Sequence, residues 1–205
     1  MSMYFLEDGM HVLVIGGSYG VGYSIRNKLI QQGATVCTLG RSKPSDASSH
    51  DFTCDIESMA SINQFIFKLL DVPYKFNAVV IAVGIKNPIS FDWTDYAIEK
   101  AFATNAKGPA QVIKKLIEEE LVQIPTKIVL ISNVASYVGN ANDCGFAMSK
   151  AAIETYLKCL ELKYKDIKTE IVYIQYGDDL NVDFKPGCSL LKYEAIPDYV
   201  SNIIS

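Results

Sequence analysis

The sequence predicts a doubly wound α/β fold, with one parallel sheet, helices on both faces and a single domain over residues 1–205. Three observations predict it. Short apolar runs rich in β-branched residues alternate with longer segments of helical period. The first run ends in a glycine-rich turn that opens a helix. No linker, low-complexity tract or internal repeat divides the 205 residues, a length that suits one domain.

His11–Ile15 reads HVLVI and stops at glycines, as a strand buried on both faces does. Residues 20–32 space Val21, Ile25, Leu29 and Ile30 at helical intervals, with Arg26, Lys28, Gln31 and Gln32 between them. Gly33 stands where a glycine ends a helix. Residues 34–39 form the second strand, and the polar stretch 42–50, with Pro44, a loop. Residues 51–54 are a short third strand. Ser58 is placed to cap a helix through Leu70 whose Ile62, Phe65, Ile66 and Leu69 share one face. Strands follow at 76–83, 127–131 and 170–174. Helices follow at 98–121, with an acidic patch at Glu118–Glu120, at 143–164 and at 193–204. Strands alternating with helices imply βαβ units and right-handed crossovers. Ligands on such sheets bind outside the carboxyl ends of the strands, so the residues just after each strand carry the function.

Composition narrows the class. The net charge is −4 and the Lys and Arg residues are scattered, which argues against nucleic acid as a partner. The N-terminal stretch has two acidic residues, no basic segment, and an apolar run that glycines stop early. It reads as neither a signal peptide nor a membrane span, and a cytoplasmic location is expected. The five cysteines, Cys37, Cys54, Cys144, Cys159 and Cys188, are odd in number and show no CxxC spacing. They read as buried, reduced thiols. His11 and His50 share no motif, so no metal is expected.

The chemistry starts at Ile15-Gly16-Gly17-Ser18-Tyr19-Gly20-Val21-Gly22. A glycine at the strand end permits a tight turn, a second lets the backbone approach a pyrophosphate, and a third lets the helix pack on the sheet. The helix start then turns bare N–H groups and its positive dipole end towards the phosphates. Gly16, Ser18, Tyr19, Gly20, Val21 and Gly22 are therefore candidate dinucleotide ligands. The second strand ends in Leu39-Gly40-Arg41-Ser42, with no carboxylate to accept from a ribose 2′-OH. Arg41, helped by Ser42, can grip a 2′-phosphate, which favours NADP (NADPH) over NAD.

With these residues in hand, the chain resembles the short-chain dehydrogenase/reductase family over roughly residues 10–204. Gly16, Gly20 and Gly22 match the family's TGxxxGxG turn, with Ile15 in place of the threonine. Asp55, with Ile56 beside it, matches the acidic residue near the adenine. In Ile81-Ala82-Val83-Gly84 only Gly84 survives of the family's NNAG. Asn105 matches the helix asparagine of the proton relay, and Lys150 the lysine of YxxxK. Tyr176-Gly177 stands where the family has proline-glycine after the sixth strand, and Tyr176 is a candidate neighbour of the nicotinamide. The resemblance implies a Rossmann fold, an NAD(P) cofactor and a carbonyl or alcohol substrate.

Two departures matter more. The family's catalytic tyrosine falls on Phe146, and its serine falls on Asn133. The implied catalytic set is thus Asn105, Asn133, Phe146 and Lys150. Reduction of a carbonyl by hydride needs a proton for the developing alkoxide, and a phenyl ring has none. An asparagine amide donates hydrogen bonds but is no acid near neutral pH. Three accounts fit these residues. Phe146 replaces a tyrosine in a silenced but otherwise active reductase, whether the change is engineered or natural. A natural enzyme takes its proton from Tyr137, Ser132 or Ser136. Or the protein binds NADP without turnover, as a sensor, scaffold or inactive partner. The segment 178–192 is short for a substrate lid. The family's seventh strand is expected to be missing, since the helix near residues 196–200 resembles the penultimate one. The resemblance also implies a homodimer through the helices at 98–121 and 143–164. The second of these carries apolar residues on more than one face: Ala151, Ala152, Ile153, Tyr156, Leu157, Leu160 and Leu162.

Overall fold

The computed structural model describes residues 9–86, 94–174 and 189–205. Its elements run β1 (His11–Ile15), α1 (Gly20–Gln31), β2 (Thr35–Gly40), β3 (Asp51–Thr53), α2 (Met59–Leu69), β4 (Phe76–Ile81) and α3 (Asp95–Phe102). After them come a π-helical turn (Ala103–Lys107), α4 (Gly108–Glu118), β5 (Val122–Asn133), α5 (Ala135–Val138), α6 (Cys144–Lys163), β6 (Ile167–Ile174), β7 (Ser189–Leu191), a 3₁₀ turn (Tyr193–Ala195) and α7 (Ile196–Ile204). The strands form one sheet in the order β3-β2-β1-β4-β5-β6-β7, and each neighbouring pair is parallel. The order reverses between β1 and β4, so the crevice at their carboxyl ends is the place where a ligand binds on such a sheet.

The alternation of a strand's side chains sorts the core into two layers. Leu13 and Ile15 of β1 face the layer filled by Ile62 and Phe65 of α2, Leu116 of α4 and Leu157 of α6. Val12 and Val14 face the other, with Ile25 and Leu29 of α1 and Ile196 and Val200 of α7. This is why β1 reads as an unbroken apolar run: both of its faces are covered. Ser58 caps α2, its hydroxyl accepting from the Ser61 N–H at 3.3 Å.

Three expectations are corrected. The seventh strand is present: Ser189, Leu190 and Leu191 pair in parallel with Val172, Tyr173 and Ile174. It precedes the last helix rather than following it. Three residues carry no periodic signal, and their strand state is decided by pairing along β6. The long helix expected at 98–121 starts at Asp95 and is interrupted by the π-helical turn, which inserts one residue into the ladder and re-aims the side chains around Asn105. Cys37 and Cys54 are buried as expected, but Cys159 is exposed, because α6 turns that face away from the sheet. No helix among the described residues is long and apolar enough to cross a membrane. No metal-holding cluster occurs among them.

Candidate active site

A cleft of about 540 Å³ opens at the carboxyl ends of β1, β2, β4 and β5, at the reversal of strand order. One wall is the turn after β1. There Gly16 adopts φ +95°, and a Cβ on it would lie 2.6 Å from the Val83 nitrogen. A Cβ on Gly22 would lie 2.1 Å from the Gly16 carbonyl oxygen. Only glycine lets β4, the turn and α1 come this close. Tyr19 takes the N-cap position of α1 without a side-chain cap, and the first turn holds no acidic residue. The first N–H groups of α1 are thus left for an anion, and the dipole favours one. These residues fit a dinucleotide's diphosphate.

Gly16, Ser18, Tyr19, Gly20 and Val21 line the cleft, as do Arg41, Asp55, Ile56 and Gly84. Gly22 and Ser42 do not. Gly22 packs behind the turn against Gly16, while the Ser42 carbonyl accepts from the Ser18 hydroxyl and so ties the β2 loop to the turn. Arg41 is exposed at the cleft rim. Tyr176 and Gly177, and most of the segment read as a lid, lie outside the described residues.

Lys150, one turn after Phe146 on α6, is 4% exposed. Its ammonium donates to the Val83 carbonyl at 3.2 Å and the Ile131 carbonyl at 3.1 Å. Burial pushes its pKa down from 10.5 to about 8, against the opposing pull of the Glu154 carboxylate. Two of its three protons are held by carbonyls, and the residue lines the cleft. Phe146 also lines the cleft and packs with Ala135 and Ala147. Asn133 sits at the end of β5, where its Oδ1 accepts from the Ala135 N–H at 2.9 Å and starts α5. The side-chain NH₂ is the hydrogen-bonding group it can offer a ligand. Asn105 is fully buried behind the cleft. Its Oδ1 accepts from the Ile85 N–H at 2.7 Å, and its Nδ2 donates to the Ile85 carbonyl and the Ser149 hydroxyl. It clamps the chain after β4 rather than facing the cavity.

The hydroxyls considered as replacement acids separate clearly. Tyr137, on α5, is 59% exposed and does not line the cleft. The Ser136 hydroxyl donates to the Asn133 carbonyl. Ser132 lines the cleft, but its hydroxyl donates to the buried Glu154 at 2.5 Å; Glu154 also accepts from the Tyr173 hydroxyl at 2.9 Å.

The sequence reading missed several residues of the cleft wall, Glu57 and Tyr193 among them. Glu57 accepts from Lys100 at 2.6 Å and from the Thr104 hydroxyl at 2.5 Å. Burial alone would raise its carboxyl; those two bonds and the charges of Lys100 and Arg41 outweigh it and hold the pKa below the ordinary value. Tyr193 is brought to the cleft by the turn after β7. The partners of Glu57 lie 43 and 47 residues away, so no local pattern reveals it. Tyr193 is legible only once β7 is known to end at the cleft.

Comparison with known proteins agrees with this geometry. Residues 10–178 match the family described as short chain dehydrogenase. An uncharacterised oxidoreductase of Schizosaccharomyces pombe is 31% identical over 129 residues, 53% of this chain and 34% of its own length. The chain therefore spans about a third of that relative. An L-xylulose reductase of Caenorhabditis elegans is 28% identical over 174 residues, 78% of this chain and 69% of that protein. Among solved structures, the ligand-free aldohexose dehydrogenase of Thermoplasma acidophilum superposes with a TM-score of 0.80. It is 19% identical and the match covers 97% of this chain and 88% of that one, a likeness of fold alone.

Proposed function

Because the chain belongs to the short chain dehydrogenase family, we propose that it is an NADP(H)-dependent oxidoreductase of carbonyl or alcohol substrates in which Phe146 stands where the proton-donating tyrosine would be. The family implies an NAD(P) cofactor. The preference for NADP and the altered acid are the finer parts of this reading.

One observation carries it. Phe146, Asn133 and Lys150 border the same cleft as the uncapped start of α1, with Arg41 at its rim. Bare N–H groups of α1 suit the diphosphate, and Arg41, with no carboxylate on its own strand end, suits a 2′-phosphate. The Lys150 ammonium, held by two carbonyls, suits the ribose hydroxyls, as the family resemblance implies. When bound, the nicotinamide supplies or accepts the hydride. The Asn133 NH₂ polarises a carbonyl oxygen by hydrogen bonding, and the Phe146 ring keeps water from that oxygen without giving it a proton. Absence of a positioned acid lowers turnover by about 10²–10⁴. The same reading pairs two copies through α4 and α6, where a groove of about 240 Å³ lies among Ile117, Tyr156, Cys159 and Leu160.

The test is Phe146→Tyr, followed by NADPH absorbance against a panel of aldehydes and ketones. Consumption rising by about 10²–10⁴ over the unsubstituted protein is expected. If both forms bind NADPH and neither consumes it across the panel, the turnover reading falls and a non-catalytic NADP-binding protein replaces it.

A further inference from the structure

We propose that Arg26, which lies outside the cleft, is a positioning residue for coenzyme choice: it clamps the β2–β3 connection through Asp46 and so holds Arg41 at the cleft rim. This rests on the NADP reading above and assigns the device that keeps its key side chain in place.

Arg26 is a buried cation on α1, 3% exposed, and it does not line the cleft. Every nitrogen of its guanidinium is engaged. Nε and Nη2 donate to the two Asp51 oxygens at 3.4 and 3.2 Å. Nη1 donates to Asp46 Oδ2 at 3.0 Å and to Asn27 Oδ1 at 2.8 Å. Asp51 is itself buried at the start of β3, where it also accepts from the Thr38 hydroxyl at 2.5 Å and the Ser48 N–H at 2.6 Å. Asp51 alone balances the charge of Arg26. Asp46 is a second carboxylate, with a side chain about half exposed. A buried ion pair adds little stability over an apolar pair, since desolvation offsets the attraction. What the planar fork of an arginine does supply is geometry: it fixes residues 46 and 51 relative to one helix.

Those two residues lie on the connection that carries Arg41. The chain leaves β2 at Gly40 and enters β3 at Asp51. Near its start, the Ser42 carbonyl accepts from the Ser18 hydroxyl in the glycine-rich turn. Pro44, whose ring fixes its φ, is buried further along. Asp46 is then held by Arg26. The arch 41–46 is thus tied at one end to the turn before α1 and at the other to α1 itself. Arg41 sits on this arch and lines the cleft with the start of the same helix. A coenzyme carrying both a diphosphate and a 2′-phosphate needs these two anion sites at a fixed separation, and fixing them before binding lowers the ordering cost.

The test is Asp46→Ala, which leaves the Arg26–Asp51 pair in place and removes only the half-exposed carboxylate. NADPH and NADH are titrated by fluorescence against the unsubstituted protein, Asp46→Ala, Arg41→Ala and the double variant. Removing an anion near a bound phosphate would by itself tighten NADPH, so weakening is the opposite of the simple electrostatic outcome. The expected result is NADPH weakened about fivefold by Asp46→Ala, NADH changed by less than about twofold, and no further loss where Arg41 is already Ala. Asp46→Asn, which keeps an oxygen acceptor for the guanidinium, should retain most of the NADPH affinity. Unchanged or tighter NADPH binding overturns the proposal and leaves the NADP reading standing. Equal weakening of both coenzymes, or the same loss in the Arg41→Ala background, also overturns it, since Asp46 would then act through the fold. If Arg41→Ala does not itself discriminate between the coenzymes, the 2′-phosphate reading fails and this one with it.

Discussion

Replacing Lys150 with Met should make the ligand-free protein more stable while removing its response to NADPH. Lys150 is buried, and its pKa falls from 10.5 to about 8. That lowering corresponds to roughly 3 kcal/mol, the cost of keeping the ammonium charged inside the fold. The folded-state pKa lies below the unfolded one, so the unfolded chain binds more protons between pH 8 and 10.5. Stability from this group therefore rises with pH across that window, and the full cost is present below it. Hydrogen bonds to the Val83 and Ile131 carbonyls offset part of the cost. At about 1 kcal/mol each, they leave a net gain of roughly 1–2 kcal/mol for Lys150→Met near neutral pH. For a chain of this size that is a rise of a few degrees in Tm, about 2–4 °C per kcal/mol. Urea unfolding of both proteins at about pH 7 and about pH 10 measures it. The advantage of Lys150→Met should shrink by roughly 2 kcal/mol at the higher pH, as the native lysine sheds its proton. NADPH should raise the Tm of the native protein and not of the variant. A stability difference that does not change between the two pH values would refute the buried-charge reasoning.

Two further outcomes are expected. Arg41→Ala should weaken NADPH by about tenfold or more and NADH by no more than about threefold, since only the former carries the 2′-phosphate; equal weakening, measured by titration, would remove the NADP preference. His11 stacks on Tyr74 at 3.8 Å, and its Nδ1 is buried with no hydrogen-bond partner among the described residues. Burial, with the charge of His50, lowers its pKa below 6.5, so stability should fall as pH drops below about 6.5 and through that lowered value. His11→Phe keeps the stack and should flatten that part of the Tm–pH curve; identical curves would count against it.

The fold was legible wherever a segment had both a period and a stop signal. β1 and α1 show their residues and their boundary together, because glycine's lack of a Cβ is a local fact. Ser58 could be read as a cap because its partner lies three residues on, and Asp143, not read as one, caps α6 in the same way, accepting from the Phe146 N–H at 3.0 Å. β7 was not legible, since three residues become a strand only beside β6. The π-helical turn is likewise set by what Thr104 and Asn105 reach: Glu57, Ile85 and Ser149.

The sequence by itself determined the alternation of strands and helices, the glycine-rich turn between β1 and α1, and the phenylalanine that stands four residues before Lys150, because each depends on residue type and near spacing. Only the tertiary structure decided that Asn105 is a clamp behind the cleft, that Ser132 is committed to Glu154, and that Arg26 reaches Asp46 and Asp51. Those roles are hydrogen bonds and close approaches between residues far apart in the chain, and they exist only once the sheet order and the two core layers have fixed which strand and helix ends meet.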